Sequence, residues 1–448
     1  MRQIAIILIL QVSEPLTSQS IYPYINQLIS ELGVTGGDDR RIGYYGGIIE
    51  SLFYVCEAMT VLHWSRLSDS IGRKPVLLIG MFGTIVSMLS FGLSRTFWGI
   101  VASRCFCGML NGNIGVMKSI MGDLTDASNR AEVFGWMPVV WGLGSTLGPL
   151  IGGTLARPSD RFPSVFGGVP FWEKYPYFLP CLVTSSYTII AWFITFFSFR
   201  ETLHKQPTSH HTLLRSEASS ISEEGEKTPP LRELFTYPVV VSVANYVSLA
   251  FVEITTLALL PLFMAMPIDI GGLGLPPAII GYILGSYGIA TGVFQVFFFA
   301  KFIHRFGAKR VFMFGMSTFV PLILLFPIMS LYAKAFGLQW PIWMLVGCLT
   351  VCLCLMDLAY GSIFLFVTAS SDKRYLGATN GMAQTVVSIS RAVGPAISTS
   401  LFSFSLERNV LGGYMVYVVL LIISAVSLYL GSYLPAKMWD EDEDDEDA

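Results

Sequence analysis

Apolar residues run along this chain in stretches too long for the interior of a soluble domain. A helix needs roughly 20 apolar residues to cross a bilayer core, and twelve such windows follow one another. In the first half they cover about 4–28, 43–62, 76–93, 97–117, 133–155 and 175–199. In the second they cover about 239–264, 278–302, 311–331, 340–367, 376–402 and 411–430. Short polar hinges separate them. One hinge, Trp64-Ser65-Arg66-Leu67-Ser68-Asp69-Ser70-Ile71-Gly72-Arg73-Lys74-Pro75, returns as Ala300-Lys301-Phe302-Ile303-His304-Arg305-Phe306-Gly307-Ala308-Lys309-Arg310. Gly72 and Gly307 are 235 positions apart, about half of 448. Repetition at half the chain length predicts two related helical bundles, as in two-bundle transporters.

The predicted fold is therefore all-α and integral to the membrane, with twelve transmembrane helices in two pseudo-symmetric six-helix bundles. The bundles should cover residues 1–200 and 236–435, with a cytoplasmic linker at 201–235 and an acidic cytoplasmic tail at 436–448. Composition supports this class. Hydrophobic residues are 53% of the chain and charged residues only 13%, where soluble domains carry about 25%. The mean hydropathy is +0.60.

Lys and Arg orient the spans. With the N-terminus in the cytoplasm, eighteen of them fall in cytoplasmic segments and eight on the opposite side, with Arg104 and Arg391 inside apolar windows. Both termini are expected inside. The first apolar run begins right after Met1-Arg2-Gln3, which also fits a secretory signal. Ser13-Glu14-Pro15 interrupts it and the pattern resumes at Ile21-Tyr22-Pro23-Tyr24-Ile25, which favours a bent first helix with a polar inner face.

The segment between the halves is rich in Ser, Glu and Pro, and such a composition predicts disorder. Its His210-His211 pair reads as solvated rather than as a metal site. Asp440 to Asp447 are eight consecutive acids, a self-repelling solvated tail that accounts for the net charge of −3. All seven cysteines lie in apolar windows, where a free thiol behaves as a small hydrophobe. Cys105/Cys107 and Cys352/Cys354 point to different helix faces, so no metal is expected. Neither a cofactor nor a nucleic-acid partner is expected, and no nucleophile elbow or phosphate-binding glycine loop suggests an enzyme.

A charge inside a bilayer costs several kcal/mol unless it faces a cavity or a partner. The candidates for proton and substrate coupling are Glu14, Glu50, Arg104, Glu253, Asp357 and Arg391. A carboxylate can load and release a proton, whereas an Arg stays charged and can anchor an anion or bias a carboxylate. The structural alternative is mutual pairing, above all of Asp357 with Arg391. Glu57, two turns after Glu50, either joins this set or reaches water at the cytoplasmic end. In the fifth window Gly144, Gly148 and Gly152 recur every four residues, a stripe that admits a close neighbour helix. Pro149 should bend that helix, and Gly394-Pro395 echoes the step in the eleventh window.

These features together resemble the major facilitator superfamily. Asp69-Ser70-Ile71-Gly72-Arg73-Lys74 is similar to its loop between helices two and three, with Ser65 and Ser70 as departures from the pattern. Arg104 with Gly108 and Gly112 resembles the fourth-helix motif tied to proton coupling. Gly144, Gly148, Pro149, Gly152 and Gly153 resemble the fifth-helix motif of proton antiporters. Glu14-Pro15-Leu16-Thr17, Ile42-Gly43-Tyr44-Tyr45-Gly46-Gly47-Ile48-Ile49-Glu50-Ser51 and Tyr175-Pro176-Tyr177-Phe178-Leu179-Pro180-Cys181 are similar to fungal zinc-induced facilitator-like transporters.

The resemblance implies a monomeric, proton-coupled exporter in a plasma or vacuolar membrane. Its partners would be the lipid bilayer, protons and a small organic molecule or metal-chelate. It also implies a cytoplasmic gate at Asp69, Gly72, Arg73 and Lys74, with Asp123 or Arg130 as partners. A uniporter or symporter of a sugar or nutrient, and a transporter-like receptor, are the alternatives that composition leaves open.

Overall fold

The structure is a computed structural model that describes residues 2–125, 130–202, 235–370, 376–436 and 439. The predicted linker and acidic tail, with His210 and His211, fall almost entirely outside these residues. Among the described residues there is no strand.

The N-terminal half, residues 2–202, holds α1 (Arg2–Gln11), α2 (Ser13–Gln19), α3 (Ile25–Glu31), α4 (Ile42–Ile71), α5 (Arg73–Leu93), α6 (Phe97–Leu110), α7 (Asn113–Asp123) and α8 (Arg130–Leu155). Three short helices follow, α9 (Pro158–Arg161), α10 (Pro163–Phe166) and α11 (Pro170–Lys174), and then α12 (Phe178–Ser198). The C-terminal half, residues 235–436, holds α13 (Tyr237–Ala265), α14 (Pro277–Phe294), α15 (Ala300–Phe306), α16 (Ala308–Ser317), α17 (Phe319–Phe336), α18 (Trp340–Met356), α19 (Leu358–Ala369), α20 (Leu376–Glu407) and α21 (Met415–Gly431).

Every apolar window falls on one or more of these helices. Among the described residues, seven stretches are long and apolar enough to cross a membrane: Arg73–Leu93, Phe178–Ser198, Tyr237–Ala265, Pro277–Phe306, Ala308–Phe336, Trp340–Ala369 and Met415–Ser432. Val139–Leu155 is a shorter apolar helix. The remaining windows carry intramembrane charges, as α4 and α20 do, or are broken. The first breaks at the turn before Pro23 and the fourth at Asn111-Gly112. Two of the seven stretches are also irregular within: Trp340–Ala369 breaks at Asp357, and in Pro277–Phe306 a π-turn at Gln295–Phe299 joins α14 to α15.

The half-length repeat is visible in the backbone. Gly72 (φ 113°, ψ 155°) and Gly307 (φ 81°, ψ 154°) each separate two consecutive helices in a conformation that side chains resist. Two residues beyond each glycine, a lysine closes the end of another helix. Lys74 Nζ donates to the carbonyls of Phe196 and Phe199, both at 2.7 Å, and Lys309 Nζ to that of Ser432 at 2.9 Å. These carbonyls have no partner within their own helix, and a cation there also opposes the helix dipole. We call this the hinge end, and the opposite one the far end.

Apolar side chains fill the interior, from Ile7, Leu77 and Ile120 at the hinge end to Phe263, Phe326 and Phe402 in the C-terminal half. Phe193, Phe197, Val296 and Phe297 are exposed, as lipid-facing positions of membrane helices are.

Candidate functional site

The intramembrane charges gather into two clusters, one in each half. Each carboxylate is held by a neutral hydrogen-bond donor from another part of the chain. In the N-terminal half, the Tyr22 hydroxyl donates to Glu50 Oε1 at 2.6 Å. The break between α6 and α7 turns Asn111 inward, and its Nδ2 donates to Glu14 Oε1 at 3.0 Å and to Glu57 Oε1 at 3.1 Å. Glu57 therefore joins the cluster through Asn111. Arg104 is only 7% exposed; its guanidinium sits 4.4 Å from the centre of the Phe53 ring. It forms no ion pair with a described carboxylate.

In the C-terminal half, the Tyr360 hydroxyl donates to Glu253 Oε2 and the Tyr287 hydroxyl to Asp357 Oδ2 at 3.0 Å. Gln295, on the π-turn, donates to the Asp357 carbonyl at 3.1 Å, so α14 and its continuation hold Asp357 at two points. Asp357 and Arg391 do not form the ion pair considered from the sequence. Arg391 lies within electrostatic range of Tyr360 and Glu253 in its own half and of Tyr54 in the other.

A small pocket lies between the halves. Tyr22, Asn26, Glu50 and Arg104 line one side, and Pro261, Leu262 and Thr399 the other. A larger cavity of about 510 Å³ lies towards the far end, bordered by Ser30, Asp39, Arg157, Arg161, Met266 and Ala278. Asn26 and Leu262 line both, so they form the partition between them. Asn26 is 5% exposed, and its Oδ1 would lie 3.7 Å from a Cβ placed on Gly46.

Glycines bring the halves together. The Gly144–Gly148–Gly152 stripe faces the first helices: a Cβ on Gly148 would lie 2.9 Å from the Leu16 carbonyl oxygen and 3.1 Å from the Ser20 nitrogen. Gly153 lies on a different face, against α14. Its Cβ would meet Gly281 Cα at 2.9 Å, and a Cβ on Gly281 would meet Gly153 Cα at 3.0 Å. On the other side α4 packs on α20, where Ser51 Oγ accepts a hydrogen bond from the Ala396 nitrogen at 3.0 Å, just after Pro395. Nearer the far end, Glu407 receives Arg41 at 2.9 Å and Tyr44 at 3.2 Å, and Arg161 donates to the Tyr282 hydroxyl at 3.0 Å.

Of the residues expected at the hinge-end gate, Arg73 and Lys74 make bonds within the N-terminal half. Arg73 donates to Ser68 Oγ at 2.8 Å. The Arg73 and Lys74 nitrogens donate to the two Glu201 carboxylate oxygens at 2.9 and 3.0 Å, an acidic cap on α5. A Cβ on Gly72 would lie 2.5 Å from Glu201 Oε2, the end of a side chain that can shift, so it is the positive φ that calls for glycine there. The side chains of Asp69, Asp123 and Arg130 are outside the described set. Sequence reasoning missed Asn111, Tyr22, Tyr287, Tyr360 and Glu201. The available signal was a polar residue at a helix break for Asn111 and an acid just past a helix end for Glu201.

The family model of the Major Facilitator Superfamily matches residues 7–395. The chain is 31% identical to the major facilitator-type transporter psiT2 of Psilocybe cubensis, over 91% of this chain and 85% of that protein. It is 26% identical to the protein ZINC INDUCED FACILITATOR 1 of Arabidopsis thaliana, over 96% of this chain and 90% of that one. Among solved structures, a bacterial homologue of the human lysosomal transporter Spinster, in an inward-facing and unoccupied conformation, matches with a TM-score of 0.68. It is 15% identical over 96% of each chain, a likeness of fold. A helical chain with charges clustered between two close-packed halves, matched along most of its length by one family model, belongs to the major facilitator superfamily, whose members are membrane-embedded secondary transporters rather than enzymes.

Proposed function

We propose that this protein is a proton-coupled exporter of a small organic molecule or metal-chelate. It works by alternating access between two six-helix bundles of twelve spans in all. The observation that carries the reading is the small pocket where Glu50 and a deeply buried Arg104 from one half face Leu262 and Thr399 from the other. A carboxylate at such a boundary can exchange its proton with one side of the membrane at a time, and rocking of the halves changes which side that is. Glu14, Glu50 and Arg104 are the primary coupling residues, with Glu253, Asp357 and Arg391 as a second set. The proton enters from the acidic side, and the protonated state releases substrate.

Asn26 and Leu262 form the inner gate of the far-end cavity. At the hinge end, Asp69, Gly72, Arg73 and Lys74 form the cytoplasmic gate, with Asp123 or Arg130 as partners. Gly144, Gly148, Pro149, Gly152 and Gly153 make the leak-tight seam. The hinge end and both termini face the cytoplasm, the monomer is the working unit, and the membrane is the plasma or vacuolar membrane. The relatives' names, a major facilitator-type transporter and a zinc-induced facilitator, support transport without fixing the cargo or its direction.

The test is an imposed pH gradient across proteoliposomes, challenged with chelating organic acids, metal complexes, potassium and cationic drugs. Substrate-dependent dissipation of the gradient, lost in Glu50→Gln, supports the reading. Substrate movement indifferent to the gradient, with Glu14→Gln, Glu50→Gln and Arg104→Ala all active, overturns it in favour of a uniporter.

A further inference from the structure

The segment between α8 and α12 is more than a connection. It leaves α8 at Arg157, which has a left-handed backbone (φ 54°), and the Arg157 nitrogen donates to the Pro176 carbonyl at 2.8 Å, closing the segment into a loop. Three prolines, Pro158, Pro163 and Pro170, each open a short helix. Aromatic rings pack along it: Phe166 on Trp172 at 5.1 Å, Trp172 on Phe171 at 5.1 Å, and Phe171 on Phe178 of α12 at 5.4 Å.

Its polar and apolar groups part company. Arg157 binds Glu31 at 3.1 Å and Asp160 at 2.7 Å, and Arg161 reaches the Tyr282 hydroxyl in the opposite half. Val165 is 70% exposed, and Phe162, Val169 and Phe171 are also exposed.

We propose that residues 158–174 form an interfacial strap whose apolar side is seated in the lipid headgroup boundary of the far leaflet, and that this seating holds the far end closed. Position argues for lipid as the occupant. The loop joins the ends of two membrane helices, so it lies at the level of the bilayer surface, and its rings pack onto Phe178, the first residue of α12. Aromatic rings are favoured at that depth, and short amphipathic elements lie in it. The strap's other side is the Arg161–Tyr282 link between the halves. Partitioning of Val165 and its neighbours into lipid therefore favours the state in which that link is made.

The full chain in liposomes tests this. A nitroxide at Val165→Cys, in a Cys348→Ser background that removes the exposed cysteine, should collide with dissolved oxygen more than with a water-soluble nickel chelate. The same label at Glu173→Cys should show the reverse. Equal nickel access at both positions overturns the proposal, because the face is then in water. Low access to both probes at 165 also overturns it, because protein then covers the face. The coupling to closure is read by alkylation of Ala278→Cys, which lines the far-end cavity. Val165→Asp should speed that reaction several-fold and Glu173→Gln should leave it unchanged. An unchanged rate in Val165→Asp removes the link to gating. Val165 is a surface residue, and retention of a monodisperse, thermally stable protein distinguishes gating from misfolding.

Discussion

Replacing Gly153 with alanine adds one methyl group at a close approach of α8 and α14, against the Pro277 carbonyl oxygen and the Gly281 backbone. Its carbon would lie 2.9 Å from Gly281 Cα and 3.1 Å from the Gly281 nitrogen. Real Cβ contacts are rarely so short, and the obstacle is backbone, which has no rotamer to yield. Overpacking of this kind costs about 1–3 kcal/mol. The cost falls only on the state in which α8 and α14 touch at this point, so it acts as a bias between states. A bias of about 1–3 kcal/mol is a population change of roughly 5–150-fold. Gly281→Ala should act alike, and the two changes together should add less than twice the single effect, because one separation of α8 from α14 makes room for both methyl groups.

Pulsed electron resonance between labels at Arg95 and Leu338, which lie at the far end in opposite halves, reads the distribution. The expected result is a longer-distance population that grows in either alanine variant, with little change for Gly142→Ala, where a Cβ would meet nothing within 4 Å. An unchanged distribution in both Gly153→Ala and Gly281→Ala, with the protein folded, would refute the reasoning.

Asn111→Ala removes a donor shared by Glu14 and Glu57. Hydrogen bonds to charged groups contribute about 1.5–3 kcal/mol each, so coupled transport should fall at least tenfold, and wild-type flux with wild-type stability would remove Asn111 from the site. Glu201→Ala takes the carboxylate off the first two nitrogens of α5 and should cost about 1–2 kcal/mol, read as a lower thermal midpoint with transport direction unchanged. Lys74→Ala should lower the midpoint more than Lys309→Ala, since it loses two carbonyl contacts rather than one.

The repeat was legible because two glycines with positive φ and two capping lysines must recur wherever two halves share one backbone plan. The intramembrane carboxylates were legible because a charge in an apolar window is too costly to be incidental. Their partners were not. Tyr22, Tyr287 and Tyr360 are ordinary residues in membrane helices, and their bonds to Glu50, Asp357 and Glu253 span 28 to 107 positions. Asn111 is uncharged, so no cost marked it. Glu201 stands at the start of a polar segment that reads as linker, and only the fold brings it back to Arg73. The period of four drew attention to Gly144, Gly148 and Gly152 and to one neighbour. Gly153, about 100° further round the helix, serves a second neighbour, and the choice between faces is made by tertiary packing.

The most direct test of the central claim separates movement of the solute from its coupling to protons. Proteoliposomes would be loaded with a substrate found in the gradient screen, and two fluxes measured in wild type and in Glu50→Gln: exchange of labelled for unlabelled solute at equal pH, and uphill accumulation driven by a pH gradient. Retained exchange with abolished uphill accumulation in Glu50→Gln is the predicted result. Uphill accumulation at the wild-type level in Glu50→Gln would contradict the assignment of proton coupling to this site.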